Sequence, residues 1–214
     1  MMRPSDFVAL LSLDLVICSV LLNLLSSCVR AVHGLHAPGE LVRRRAFWLV
    51  GVAGVGLWVP VGSSMLPSLA YVRGITSDLS ITSLVLACLT LFRQLLCRPD
   101  PAPRERFWLC VALALSATVL YPTALGWGNW DFYRLGWGSF ALLGGFAATA
   151  SVTFYARLRM VPLLLAAAVL AWTLDLLESG NLWDYLMDPW LVLLAIWQLL
   201  LAGITGLRQR LANN

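Results

Sequence analysis

The chain has 214 residues, of which 60% are hydrophobic and only 12% charged, and its mean hydropathy is +0.80. Soluble domains carry about a quarter charged residues, so this composition excludes an ordinary soluble domain, and recurrent apolar stretches of about 18 residues or more predict membrane-spanning helices. The net charge of +4 comes from arginine alone, in short clusters beside apolar segments, which is not the continuous basic face that nucleic acid binding requires.

Taken in chain order, the first predicted span covers about 7–27, capped by Ser5 or Asp6 and interrupted by Asp14 and Asn23. The following loop holds Arg30, His33, His36, Glu40 and the triplet Arg43, Arg44 and Arg45, which reads as a topology signal with lipid-phosphate contact as its sharper alternative. The second span, about 46–62, is rich in glycine, and the semi-polar stretch to Asp78 suits a short interfacial or re-entrant piece. The third, about 79–97, sets Ser80, Ser83, Ala87, Thr90 and Gln94 on one helical face, a small and polar stripe expected to meet other helices.

Prolines in the 98–104 loop stop helix propagation before the fourth span, about 107–123. The 126–138 loop then interleaves Trp127, Trp130, Phe132, Tyr133 and Trp137 with Asp131 and several glycines, a density that favours a folded loop. The fifth span, about 139–155, carries Gly144, Gly145, Ala147, Ala148 and Ser151, spaced for close helix approach. A short turn through Arg157 and Arg159 makes an antiparallel hairpin with the sixth span, about 160–177, which is expected to carry Asp175 with Glu178 one turn further on the same face. After a loop with Trp183, Asp184 and Tyr185, Asp188-Pro189 supplies an N-cap and a first-position proline for the last span, about 189–207.

The predicted architecture is therefore all-α, a single polytopic bundle over 1–214 with seven spans. With the N-terminus outside, twelve arginines fall on the cytoplasmic side and three outside, namely Arg3, Arg73 and Arg134, which satisfies the positive-inside rule and places the C-terminus in the cytoplasm. A cell membrane is the expected location, and arginine used to the exclusion of lysine suggests a bacterial inner membrane. Leu25-Ser-Ser-Cys28 resembles a lipobox, but Asp14 interrupts the would-be signal core and lipidation would strand Arg43–Arg45 outside, so an intact first span is expected.

Chemistry is sparse. The five cysteines show no CxxC and no disulfide framework, His33 and His36 lack companion ligands beyond Glu40, and a chain without lysine has no phosphate-binding loop of the Walker type. No cofactor, metal or catalytic set is expected. The outer face is acidic, with Asp14 about 10 Å deep in the first span and Asp175, Glu178, Asp131 and Asp184 nearer the water. These are candidates to bind a cation or ligand, and Trp127, Trp130, Trp137 and Trp183 are candidates for ring stacking or for an aromatic interfacial belt. The plainer reading of Asp14 is a structural bond to Arg73, Arg134 or a neighbouring hydroxyl. The expected function is a non-enzymatic accessory or assembly subunit that contacts membrane lipids and a membrane or periplasmic partner or envelope ligand. The alternatives are a small transporter with Asp14 and Asp175 lining a vestibule and, more weakly, an enzyme acting on lipid-linked substrates through outer carboxylates.

Overall fold

Proline at the first helical position opens helix α1, because its missing N–H has no partner to lose there. In the computed structural model, α1 runs Pro4–His33; residues 3–33, 40–96 and 98–212 are described, with side chains given except at 30–33, 40–43 and 207–212. The cap is neither Ser5 nor Asp6: Asp6, in the first turn, reaches back to accept the Arg3 backbone N–H at 3.2 Å. His36 and Cys97, and the side chains of Arg30, His33, Glu40, Arg43, Arg208 and Arg210, lie outside the described residues.

Helix α2, Glu40–Leu57, starts and ends earlier than the predicted second span, and Arg44 and Arg45 are exposed in its first turns. Beyond Ala46 its uncharged part is about 18 Å long at 1.5 Å per residue, short of the hydrocarbon thickness. Pro60–Val61 (β1) and Leu66–Pro67 (β2) then pair as a two-stranded antiparallel hairpin, Pro60 opposite Pro67 and Val61 opposite Leu66. Its turn needs left-handed backbone at Gly62 (φ 73°), where a side chain would press on the Tyr71 hydroxyl that bonds the Val61 carbonyl. Helix α3, Ser68–Thr76, follows where the sequence allows a short interfacial piece, and α4 covers Ile81–Leu95.

The second half begins with α5, Pro103–Ala124, again with proline at its start. A 3₁₀ turn over Phe132–Gly136 leads to α6, Phe140–Tyr155. The α6 helix closes with Arg157 in left-handed geometry (φ 60°) while the Leu158 N–H bonds back to the Thr153 carbonyl, and α7, Met160–Thr173, returns against α6 as the short turn predicts. Helix α7 stops before Asp175, which takes φ 49° just past its end, so the expectation that Asp175 and Glu178 share a helical face is corrected. A five-residue α8, Leu182–Leu186, precedes α9, Pro189–Ala212.

The described residues are thus all-α apart from one small hairpin. Three helices, Pro4–Val29, Pro103–Ala124 and Pro189–Gly206, are long and apolar enough to cross a membrane; Ile81–Leu95, Phe140–Tyr155 and Met160–Thr173 are apolar but shorter. Many large apolar side chains are exposed, among them Trp48 and Val52 of α2, Phe154 of α6 and Trp197 of α9, as expected where lipid rather than water is the solvent.

The chain divides into two compact units. The first comprises 1–79, 83–100 and 176–178, and its core joins Leu10 and Leu13 of α1 to Leu69 of α3 and Leu79, with a second cluster of Cys18, Leu22 and Val50. Of the expected stripe on α4, Ser83 and Ala87 are buried and Gln94 donates to Asn23 on α1, so the stripe does face inward here. The second unit comprises 80–82, 101–175 and 179–214. In it α5 packs chiefly on α9, and Cys110, Leu113, Ala117 and Leu120, spaced three or four apart, form the buried stripe of α5. The small-residue face of α6 is a correction: Gly144, Gly145, Ala147, Ala148 and Ser151 are all exposed, and the α7 helix packs elsewhere on its surface.

Candidate functional site

Asp14 sits in the first unit at 9% exposure, where α1 meets α2. Its Oδ2 accepts the Trp58 indole N–H at 3.1 Å, and its Oδ1 lies 3.7 Å from the Cys18 Sγ one turn along α1. Glycine makes the approach feasible, since a Cβ at Gly54 would lie 2.8 Å from Cys18 Sγ and 3.1 Å from Asp14 Oδ1. The carboxylate is thus bonded structurally, by an indole and a thiol in place of the expected arginine or hydroxyl.

Arg73 has other work. From α3 it forms ion pairs with Asp6 at 2.7 Å, with Asp78 and, at 3.4 Å, with Glu178, so one guanidinium gathers three carboxylates. The Asp78 bond, followed by the Asp6 bond, outweighs desolvation and holds Arg73 protonated above even the ordinary arginine range. Glu178 is therefore a member of an ion-pair cluster in the first unit, whereas Asp175 belongs to the second and is exposed.

In the second unit the two aromatic loops interlock. Asp131 accepts the Tyr133 backbone N–H at 3.0 Å and so starts the 3₁₀ turn. The Tyr133 hydroxyl then donates to the Asp184 carboxylate at 2.9 Å, and Ser179 donates to the same group. Buried Asn181 makes three bonds: its amide donates to the Tyr133 carbonyl, its Oδ1 accepts the Trp183 N–H, and its own N–H donates to Ser179 Oγ. The Trp183 indole donates to the Phe132 carbonyl at 3.1 Å, and the Trp172 indole to the Gly180 carbonyl at 2.9 Å. Two glycines admit this fit: a Cβ at Gly136 would collide with Asn181 Oδ1, and one at Gly180 would lie 3.0 Å from the Trp137 ring.

Electrostatics follow the geometry. Burial first, then donation to anionic Asp184, pushes the Tyr133 hydroxyl up to about 12, so it remains a neutral donor through the physiological range. Asp188, 3% exposed, caps α9 through the Leu191 N–H at 2.9 Å, as the Asp-Pro pair predicts, and also accepts the Ser80 N–H and hydroxyl.

Of the sequence candidates, Asp131, Asp184, Trp137 and Trp183 are brought into this one latch. Trp127 and Trp130 stay outside it, exposed at 73% and 76%. Beside the latch, Leu115, Ser116, Val119 and Leu120 of α5 with Phe132 and Trp183 line an apolar groove of about 330 Å³. Ser179, Asn181 and Gly136 carry almost no signal in the sequence; the one local sign is Asn181 two residues before Trp183, an Asx turn that caps a helix. Among the described residues no three His, Cys, Asp or Glu side chains form a metal-ligand set. Neither a protein-family model, a curated protein nor a solved structure matches this chain.

Proposed function

We propose that this chain is a non-enzymatic, multi-pass membrane subunit that uses its latched aromatic loops to hold a membrane or periplasmic partner or an envelope ligand. In this reading α1, α2, α4, α5, α6, α7 and α9 are seven spans, the N-terminus and the latch lie outside, and the C-terminus lies in the cytoplasm of a bacterial inner membrane. Support for the topology comes from the arginine distribution, twelve on one side against three on the other. Helices α4, α6 and α7 have 15, 16 and 14 residues, and the uncharged part of α2 is about 18 Å long, all shorter than the roughly 20 residues that span unaided; a bundle accommodates such mismatch through flanking residues and local thinning.

The observation that carries the proposal is the latch. Cross-braced loops lose little entropy on binding, and this one displays Trp127 and Trp130 in the open, beside Asp131. Tryptophan is the residue most enriched at binding hot spots, and a belt of tryptophans anchored only to lipid would not need three hydrogen bonds through a buried asparagine. The test is photo-crosslinking from position 127 or 130 in cells, followed by purification in mild detergent. A discrete adduct from position 127 that is weakened when Trp130→Ala is added, and one from position 130 that is weakened by Trp127→Ala, while the protein still folds and inserts, are expected. Purification of the wild type strictly alone, with no adduct at either position, would overturn the proposal.

A further inference from the structure

Arg73 is saturated with carboxylates, and this makes the state of Arg106 informative. Arg106 is exposed one turn into α5 and makes no ion pair among the described residues. The adjacent acid is turned elsewhere: Glu105 Oε1 accepts the Arg159 backbone N–H at 2.7 Å. Arg106 instead borders a groove of about 310 Å³ between α5 and α9, with Phe107 and Leu201 as apolar walls and Cys110 and Gln198 at its inner part. The thiol of Cys110 donates to Gln198 Oε1 at 3.6 Å, which satisfies that oxygen in an otherwise apolar trough.

The two helices run antiparallel, since Cys110 meets Gln198 and the groove extends from that contact toward Pro103 on α5 and Ala202 on α9. The start of α5 and the end of α9 therefore share one side, and the sequence puts Arg104, Arg106, Arg208 and Arg210 there with Glu105 as the nearest acid. The groove runs from Pro103 to Cys110 along α5, about 10 Å of helix, with the guanidinium near one end and hydrocarbon along the rest. A water-soluble anion would use only the basic end. A lipid acyl chain alone would use only the walls.

We propose that the α5–α9 groove is a binding site for an anionic phospholipid, whose phosphate pairs with Arg106 and whose chain lies between Phe107 and Leu201. Arg106 lies at headgroup depth for a helix entering the bilayer at Pro103, and a cation there contributes binding that a zwitterionic lipid cannot match. The inference rests on α5 and α9 crossing the bilayer; it does not depend on the latch having a partner.

The experiment titrates the purified full-length protein in a neutral detergent with phosphatidylglycerol, phosphatidylcholine or inorganic phosphate, reading the thermal unfolding midpoint and the lipid retained in native mass spectrometry. Phosphatidylglycerol is expected to raise the midpoint and remain as one retained lipid, with phosphatidylcholine and phosphate giving much smaller shifts. Arg106→Gln should weaken the effect at least about fivefold, Arg106→Lys should keep most of it, and Arg157→Gln should match the wild type. Ala202→Trp fills the groove without touching charge and should also abolish retention. Equal stabilisation by all three additives, or an unchanged response in both Arg106→Gln and Ala202→Trp, would overturn the site. Release of the protein from membranes by alkaline carbonate would instead overturn the membrane reading beneath it.

Discussion

Single residues in this protein show how an ionisable group is tolerated away from water. Asp14 is held by the Trp58 indole and faces Cys18, with no arginine in reach among the described residues. If acceptance of the indole N–H is what it supplies, Asp14→Ala should cost about 1–3 kcal/mol and Asp14→Asn distinctly less, measured by chemical unfolding in detergent. Equal losses would show that charge rather than acceptance matters. Tyr133 gives a second test. Its hydroxyl is raised in the folded protein from about 10 in the unfolded chain, so the folded state holds the proton more tightly. The stability it adds is fully present below pH 10 and drains away between about pH 10 and about 12. Ultraviolet titration should show the phenolate absorbance that appears near 12 reduced by one tyrosine's worth in Tyr133→Phe.

At the scale of elements, glycines sort by what faces them. Gly54 and Gly136 stand where another segment comes close, while Gly144 and Gly145 on α6 have open space around the position of a Cβ. Gly136→Ala should therefore break the Asn181 bonds and destabilise by about 1–3 kcal/mol, visible as faster proteolysis of the 126–138 loop. Gly144→Ala, in a helix interior with nothing to meet, should leave stability unchanged or raise it by about 0.5–1 kcal/mol. The reverse order would mean that α6 packs its small-residue face on something else.

For the whole molecule, the arginine pattern makes orientation a measurable quantity. In a background with all native cysteines replaced, Asn129→Cys in the aromatic loop should react with an impermeant maleimide in intact cells. Ala102→Cys, in the proline loop before α5, should react only after permeabilisation. Labelling of both from one side would remove the odd number of spans between the two sides, and the reverse pattern would invert the topology.

The apolar character, the helical class and many of the helix positions were legible in the sequence, because composition and periodicity are local properties. Asp188-Pro189 marks the start of α9 and the prolines of 98–104 its counterpart before α5, each through chemistry confined to a few residues. The β1–β2 hairpin is not legible in the sequence because its strands are two residues each and its turn is set by Gly62 and by Tyr71 further along the chain. Hydrophobicity continues past the ends of α2 and α7, so the sequence extends both helices beyond the points where the backbone turns. Only the tertiary structure decided which carboxylate meets which donor. Asp14 with Trp58, and Tyr133 with Asp184, are separated by 44 and 51 residues, and each pairing depends on how helices rotate and loops close. Sequence determined that this protein carries acids and aromatics on its loops; folding determined that two of those loops grip each other and leave Trp127 and Trp130 free, because a hydrogen bond requires a geometry that composition does not specify.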